Sequence, residues 1–150
     1  MSIQMSVIGD AAAEPALADT AQKVGRLAAE RGWVVITGGM GGVMEAASRG
    51  AKEAGGTTVG ILPTYDAATA NEYVDVIIPT GLGHARNALV VAAASGVIAV
   101  GGRYGTLSEI ALALKLGKPV VGINTWPGIE GVRPAPDAER AIAVLASLLE

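Results

Sequence analysis

Residues 97–123, VIAVGGRYGTLSEIALALKLGKPVVGI, contain two short apolar runs separated by a glycine-rich turn and a helical segment. The runs at 97–100 and 119–123 are rich in Val and Ile and too short for helices, which is typical of strands. The segment between them, 106–116, places Leu107, Ile110, Ala111 and Leu114 at helical spacing. A strand, a helix and a second strand in this order predict a right-handed βαβ unit with parallel strands.

The same alternation runs along the whole chain and indicates the fold class. Further strands are predicted at 5–9, 33–37, 58–62 and 74–78, and further helices at 15–31, 42–54, 84–95 and 136–149. The strand segments are continuously apolar, as in strands that are covered on both faces. We therefore predict a single α/β, Rossmann-like domain over residues 1–150, with three α/β/α layers and a doubly wound, mainly parallel sheet. Segments 63–73 and 124–134 follow strands without regular structure and are predicted to be lids or rims of a site.

The composition limits the classes of function. The net charge is −3 and the 11 basic residues are scattered, which argues against a nucleic-acid partner because such proteins need a basic surface. Because the chain has no cysteine, thiol chemistry and thiolate metal sites are excluded, and no metal site is predicted. The first nine residues lack the pattern of a signal peptide, and no apolar run reaches the ~20 residues that span a bilayer. These features predict a cytoplasmic protein without a membrane partner.

Two of the predicted helices carry more apolar surface than one sheet can cover. Segment 84–95 has no charge after Arg86, and Leu112 and Leu116 add a second apolar face to segment 106–116. A surface helix of a monomer needs only one apolar stripe. We therefore predict a homo-oligomer, either a homodimer or a dimer of dimers, assembled on these helices.

The first of three glycine-rich turns, TGGMGGVME at 37–45, connects a predicted strand to a predicted helix. Gly38, Gly39 and Gly42 let the backbone approach a ligand, and the free N–H groups at a helix start attract phosphate. Met44 is assigned to the same ligand-binding set, although a methionine here also suits gap-filling. The turn does not match the G-x-G-x-x-G pattern of dinucleotide sites, and tight helix–sheet packing explains its glycines equally well.

The second turn, TGLGHARN at 80–87, again leads from a strand into a helix. Arg86 is the only cation of an apolar helix, so its burial would require a neighbouring anion. We predict a phosphate ligand beside Gly83, Arg86 and Asn87, and the alternative is a salt bridge from Arg86 to Glu109 or another acid. His84 is more simply explained as part of the helix start than as a ligand contact.

The third turn, GGRYGTLSE at 101–109, combines ligand-binding candidates with a carboxylate. The candidates are Gly101, Gly102, Arg103, Tyr104, Gly105 and Thr106, with Arg103 reaching a phosphate and Tyr104 a base ring. Thr106 and Glu109 have the spacing of a capping box, with Thr106 as the helix N-cap. The same spacing places Glu109 at the sheet edge, where general-base chemistry or stabilisation of a cationic sugar would need a carboxylate.

All three turns follow parallel strands and therefore lie at the carboxyl edge of the sheet, where open α/β folds bind their ligands. Each turn alone is weak evidence for a ligand site. The position of all three turns at the same edge of the sheet makes the evidence stronger. Together they predict a site for a phosphorylated small molecule, namely a nucleotide or a nucleotide-like cofactor.

The segments TGGMGGVMEA, ILPTYDAATANEYVDVIIPTGLGHARN and VGGRYGTLSEIALALKLGKPVVGI resemble the lonely-guy (LOG) superfamily, in particular the short bacterial branch that includes the molybdenum-cofactor carrier proteins. The resemblance extends from about residue 6 to residue 126. In the phosphoribohydrolase branch it implies hydrolysis of a nucleoside 5′-monophosphate to a free base and ribose 5-phosphate, with Arg86 and Glu109 as catalytic residues. Glu109 would stabilise the ribosyl cation or orient water, and Arg86 would hold the phosphate or the sugar.

The chain departs from the hydrolase pattern at Gly101, where proline is usual, at Arg103, where glycine is usual, and at Asn87, where lysine is usual. These departures favour the carrier branch, which implies binding of a molybdopterin-type cofactor, a phosphorylated pterin, without turnover. Ligand binding is therefore the leading hypothesis, and hydrolysis of nucleoside monophosphates is the alternative. The "lysine decarboxylase" label of many members is rejected, since no pyridoxal-phosphate lysine site is matched. The acidic charge also disfavours DNA handling, the role of the similarly folded DNA-processing A proteins.

Overall fold

Parallel strands form the centre of the molecule. The computed structural model describes residues 2–150, and within them seven strands make one sheet. The strands are β1 (Gln4–Gly9), β2 (Val34–Thr37), β3 (Thr58–Leu62), β4 (Val76–Pro79), β5 (Gly96–Val100), β6 (Val120–Ile123) and β7 (Val132–Pro134). Every neighbouring pair is parallel, and the order is β4-β3-β2-β1-β5-β6-β7. The chain thus winds outward from β1 in both directions, which confirms the predicted doubly wound, Rossmann-like α/β fold.

Helices cover both faces of this sheet. They are α1 (Pro15–Glu30), α2 (Val43–Glu53), α3 (Arg86–Ala92), α4 (Tyr104–Lys115) and α5 (Ala138–Leu149). One hydrophobic core joins α1, α2 and α5 to the sheet, and a second joins α3 and α4 to the opposite face. Val7 lies in the first core and its neighbour Ile8 in the second, because side chains alternate along a strand. The result is the predicted three-layer arrangement.

Two glycines allow α1 and α2 to pack at very short distance. A Cβ atom on Gly25 of α1 would lie 1.9 Å from the Ala47 carbonyl oxygen, and one on Gly50 of α2 would lie 1.9 Å from the Gln22 carbonyl oxygen. Any side chain at these positions would push the helices apart, because interiors are packed at crystal-like density. These glycines serve the fold and not the site.

Strand β7 lies inside segment 124–134, for which the sequence predicted no regular structure. Val132 pairs with Val120 of β6, and Pro134 pairs with Gly122. The strand has only three residues and is tolerated with a proline because it forms the edge of the sheet. A run this short has no apolar pattern of its own, so its pairing is decided by β6.

Helix α4 begins at Tyr104, two residues before the predicted start. Arg103 is the N-cap residue, without a side-chain hydrogen bond, so Thr106 lies inside the first turn. The predicted capping box between Thr106 and Glu109 is therefore wrong, and both side chains are buried in the helix. The helix predicted at 84–95 starts as a short 3-10 turn, Gly83–Ala85, and continues as α3 only to Ala92.

The β4 end of the sheet is open, with Val76, Ile77, Ile78 and Pro79 all exposed. Leu89 of α3 and Leu116, which follows α4, are also exposed. None of the helices in residues 2–150 combines the length and apolar character that a bilayer crossing requires. Homo-oligomerisation and a cytoplasmic location stay predictions.

Candidate functional site

A cavity of about 590 Å³ lies at the carboxyl edge of the sheet, where the strand order reverses around β1. It brings residues from all three glycine-rich turns together. The predicted site residues that line it are Gly38, Met44, Gly83, Arg86, Asn87, Arg103, Gly105, Thr106 and Glu109. The convergence expected from the sequence is thus present in the fold.

The other predicted residues surround this cavity without lining it. Gly39, Gly42, Gly101 and Gly102 have positive φ angles of 78°, 63°, 61° and 107° and shape the turns, since such angles favour glycine. Tyr104 is 79% exposed and packs against Trp126, with 5.6 Å between the ring centroids. Its ring therefore lies outside the cavity, beside the start of α4.

Arg86 is half-buried at the start of α3. Its Nη1 donates to the Asn87 Oδ1 atom, and its Nη2 donates to the Gly38 carbonyl oxygen at 3.4 Å. Its Nε is buried without a partner among residues 2–150. Burial lowers the pKa of Arg86, and the charge of Glu109 opposes that shift. An unsatisfied N–H on a partly buried cation is costly unless an anion binds there.

Glu109 lies one helical turn into α4 and is 7% exposed. Burial raises the pKa of its carboxyl group to about 7, although the charge of Arg86 acts in the opposite direction. A carboxyl group with this pKa changes its charge near neutral pH, which is a frequent property of functional sites. The salt bridge considered for Arg86 and Glu109 is not formed, because within the described chain no N–O contact of 4.0 Å or less joins them.

The start of α4 offers backbone donors to the cavity. The first intrahelical bond runs from the Leu107 N–H to the Arg103 carbonyl, so the N–H groups of Tyr104, Gly105 and Thr106 have no helical partner. A Cβ atom on Gly105 would meet only the Asn87 Nδ2 atom, at 4.0 Å. The positive end of the α4 dipole therefore opens onto free space beside Arg86, an arrangement that attracts phosphate.

Asp10 is a cavity residue that the sequence analysis missed. It follows β1, and its Oδ2 atom accepts the Gly102 N–H at 3.3 Å. Its backbone carbonyl accepts the N–H of Val43, the first residue of α2, at 2.9 Å. The available signal was its place directly after the predicted strand 5–9, because the residue that ends a parallel strand lies at the ligand edge.

The two irregular segments border different spaces. Pro63 and Thr64 of segment 63–73 line the cavity, which agrees with a rim. Segment 124–134 lines a separate cavity of about 270 Å³, but the Trp126 indole N–H donates to the Arg103 carbonyl at 2.9 Å. The second segment thus supports the start of α4 from outside. Met40, in the first glycine-rich turn, also lines the main cavity.

Comparison with known sequences gives a full-length match. The sequence model of the SLOG cluster4 family matches residues 2–146. An uncharacterized protein of Archaeoglobus fulgidus is 45% identical over 140 residues, covering 93% of this chain and 92% of the relative. The cytokinin riboside 5′-monophosphate phosphoribohydrolase of Mycobacterium tuberculosis is 31% identical over 152 residues, covering 89% of this chain and 81% of the relative.

Solved structures match over the same length. The molybdenum cofactor binding protein of Rippkaea orientalis superposes with a TM-score of 0.95 at 39% identity, covering 100% of this chain and 99% of the other. The Moco carrier protein of Chlamydomonas reinhardtii superposes with a TM-score of 0.92 at 38% identity, covering 99% of this chain and 98% of the other. DNA processing protein A of Streptococcus pneumoniae superposes with a TM-score of 0.75 at 22% identity, covering 95% of this chain and 61% of the other. At this identity the similarity concerns the fold alone.

Proposed function

This chain belongs to the SLOG cluster4 family, and from that membership we propose that it binds a phosphorylated small molecule at the cavity beside α4. The leading candidate is the molybdenum cofactor, a phosphorylated pterin, held as cargo without turnover. The similarity to the molybdenum cofactor binding protein and the Moco carrier protein supports this choice.

One observation carries the proposal: Arg86, whose Nε has no partner among residues 2–150, lines the same cavity as Gly105 and Thr106, whose N–H groups have no helical partner. A phosphate group there would accept hydrogen bonds from Gly105 and Thr106 and would neutralise the Arg86 charge. Reorientation of the Arg86 side chain on binding would also bring the Nε, which no group of residues 2–150 satisfies, within reach of the phosphate. Phosphate binding thus removes an energetic penalty that the free protein carries.

The size and walls of the cavity suit a ligand with a planar ring. A volume of about 590 Å³ falls in the ~300–1,000 Å³ range of small-molecule sites. Met40 and Met44 supply flexible apolar surface on one side, and thioethers pack well against aromatic rings. A phosphorylated pterin would place its phosphate at the α4 start and its ring along these side chains.

The test is ligand capture. Protein produced in cells that make the molybdenum cofactor is purified, and the bound material is identified by mass spectrometry after oxidative release of the pterin. We expect a stoichiometric phosphorylated pterin on the native protein and a loss of about 10-fold or more on Arg86→Gln, because charge-assisted hydrogen bonds contribute ~1.5–3 kcal/mol. Arg140→Gln on α5, an exposed arginine outside the cavity, is the matched control and should retain the ligand. An empty native protein would refute the carrier assignment.

A second function is favoured by one specific observation, the raised pKa of Glu109 beside Arg86. In a phosphoribohydrolase, the Glu109 carboxylate would stabilise the ribosyl cation or orient the attacking water, while Arg86 would hold the phosphate. Water would add to the sugar carbon as the bond to the base breaks, giving free base and ribose 5-phosphate. The similarity to the mycobacterial phosphoribohydrolase supports this alternative.

Incubation with AMP and chromatographic detection of adenine separates the two functions. Hydrolysis predicts adenine release that rises as the pH passes 7, because the ionised carboxylate is the active form. It also predicts a rate loss on the order of 10²-fold or more in Glu109→Gln. Release of no base from AMP, GMP or CMP by a protein that binds them would exclude this alternative and leave the carrier proposal standing.

A further inference from the structure

Asp10 places a carboxylate in the cavity at the centre of the sheet edge, between the ends of β2 and β5. The side chain is 20% exposed. Its Oδ2 atom accepts the Gly102 N–H at 3.3 Å, so the loop after β5 fixes its position. Because this hydrogen bond holds Oδ2, the orientation of the second carboxylate oxygen, Oδ1, is also defined.

The second oxygen, Oδ1, has no hydrogen bond from any residue in 2–150. The nearest cation is the Arg103 Nε, at 4.0 Å, which is too long for a hydrogen bond. The Arg103 side chain is itself 92% exposed, so solvent screens the attraction between the two groups. Asp10 therefore keeps an acceptor for a ligand that enters the cavity.

The charge of Asp10 decides which part of a ligand can approach it. A phosphate would be repelled by the carboxylate, and the Gly102 N–H is already engaged. The Asp10 backbone carbonyl is bonded to the first residue of α2 and its carboxylate to Gly102, in the loop before α4, whereas Arg86 lies at the start of α3. The cavity thus combines anion-binding groups at the starts of α3 and α4 with a carboxylate acceptor at the end of β1.

We propose that Asp10 determines ring specificity by accepting hydrogen bonds from an edge that carries a ring N–H next to an amino group. The 2-amino-4-oxopyrimidine ring of pterins and of guanine has this edge. Its two parallel N–H donors match a carboxylate in which Oδ1 is free and Oδ2 keeps one lone pair beside the Gly102 N–H. Adenine presents a bare ring nitrogen beside its amino group, which places an acceptor against the carboxylate. This inference rests on the proposed phosphate site and specifies which class of ring the phosphorylated ligand carries.

The test compares GMP, IMP and AMP, which share the ribose 5′-phosphate, with inorganic phosphate as a fourth probe, by isothermal titration calorimetry. We expect the native protein to prefer GMP over AMP by about 10-fold or more, the discrimination typical of a bidentate contact. IMP keeps the ring N–H but lacks the amino group, so its affinity should be intermediate. Asp10→Asn should remove most of the GMP preference, and inorganic phosphate should bind at least as tightly because the repelling charge is absent.

The controls distinguish an effect on the preference for GMP over AMP from an effect on folding. Asn keeps an oxygen that can accept the Gly102 N–H, and the GMP to AMP ratio is measured on one preparation, so a smaller folded fraction does not change it. Asp19→Asn, on an exposed acid of α1 outside the cavity, makes the same charge change and should preserve the preference.

Several results would overturn the inference. Equal affinities of the native protein for GMP and AMP would do so while leaving the phosphate site intact. An equal loss for all four probes in Asp10→Asn would show that Asp10 only ties the loops together. Retention of the preference in Asp10→Asn and its loss in Glu109→Gln would assign the ring edge to Glu109. Failure of all four probes to bind the native protein would refute both the inference and the proposed function.

Discussion

Burial raises the pKa of Glu109 to about 7 against the opposing charge of Arg86, with which it shares the cavity wall. The free protein therefore holds a carboxyl group and a guanidinium whose charged forms are both disfavoured by burial. Such an arrangement lowers stability, and it is a common feature of sites that are built to bind.

Replacement of this carboxyl group should stabilise the free protein at high pH. Because the pKa of Glu109 in the fold lies above its ordinary value of 4.5, its contribution to stability is fully present below pH 4.5 and is lost as the pH rises through 7. Glu109→Gln removes this loss, and its free energy of unfolding at pH 8 should exceed that of the native protein by up to about 3 kcal/mol. Urea titrations at pH 4.5 and pH 8 check this, and a difference that does not grow with pH would contradict it.

A methyl group at Gly105 should block the ligand and spare the fold. Gly105 is the second residue of α4, with only Asn87 Nδ2 near an added Cβ atom, and alanine is favoured over glycine in helices by ~1 kcal/mol. Gly105→Ala should therefore melt at the same or a higher temperature while binding phosphate more weakly.

Gly102→Ala provides the contrast to this variant. Its φ is 107°, and an added Cβ atom would lie 2.4 Å from Thr106, so it should lose stability. Unchanged phosphate affinity in a folded Gly105→Ala protein would argue against a ligand at the start of α4.

The hydrogen bond from Trp126 to the Arg103 carbonyl should matter for binding as well as for stability. Trp126→Phe removes the donor and is expected to cost ~1 kcal/mol of stability. Because this bond holds the residue before α4, hydrogen exchange at the Leu107 N–H should accelerate, and phosphate affinity should fall. Trp33→Phe is the control, since the Trp33 indole N–H bonds Glu150 outside the cavity. Equal affinity losses in both variants would indicate a general effect on the fold.

The exposed strand β4 should contribute to self-association together with the predicted helical surface, where Leu89 of α3 and Leu116 after α4 are exposed. Val76, Ile77 and Ile78 are 46%, 38% and 43% exposed on an unpaired sheet edge, and such edges are normally covered or charged. We predict a homodimer or larger assembly at micromolar concentration, and Ile77→Lys should shift it toward monomer. Sedimentation velocity measures the assembly size of the native protein and of the Ile77→Lys variant. A native protein that sediments only as a monomer would refute the oligomer prediction.

The sequence was sufficient for most of the fold because its strands are short, continuously apolar and followed by glycine turns. Strand β7 was not predictable in this way, since three residues ending in Pro134 acquire their conformation from pairing with β6. The start of α4 was misplaced for a different reason. The local pattern of Thr106 and Glu109 indicated a cap, but the helix starts at Tyr104 and buries both side chains.

The lining of the cavity was predictable where it depended on turns and not where it depended on strand order. Arg86, Glu109 and Gly105 follow from the turn motifs and the resemblance to the superfamily. Asp10 lies in the cavity because β1 is placed between β2 and β5. This strand order cannot be read from the sequence, so the position of Asp10 was not predicted. Its bond to Gly102 connects residues 92 positions apart, a relation that only the folded chain reveals.

The most direct test of the phosphate site is an NMR titration of the native protein with inorganic phosphate. We expect the largest shift changes at the backbone N–H groups of Tyr104, Gly105 and Thr106 and at the side-chain Nε–H of Arg86, with a common saturation curve. Changes centred on the first turn of α2, or saturation that leaves the Arg86 Nε–H signal unmoved, would contradict it.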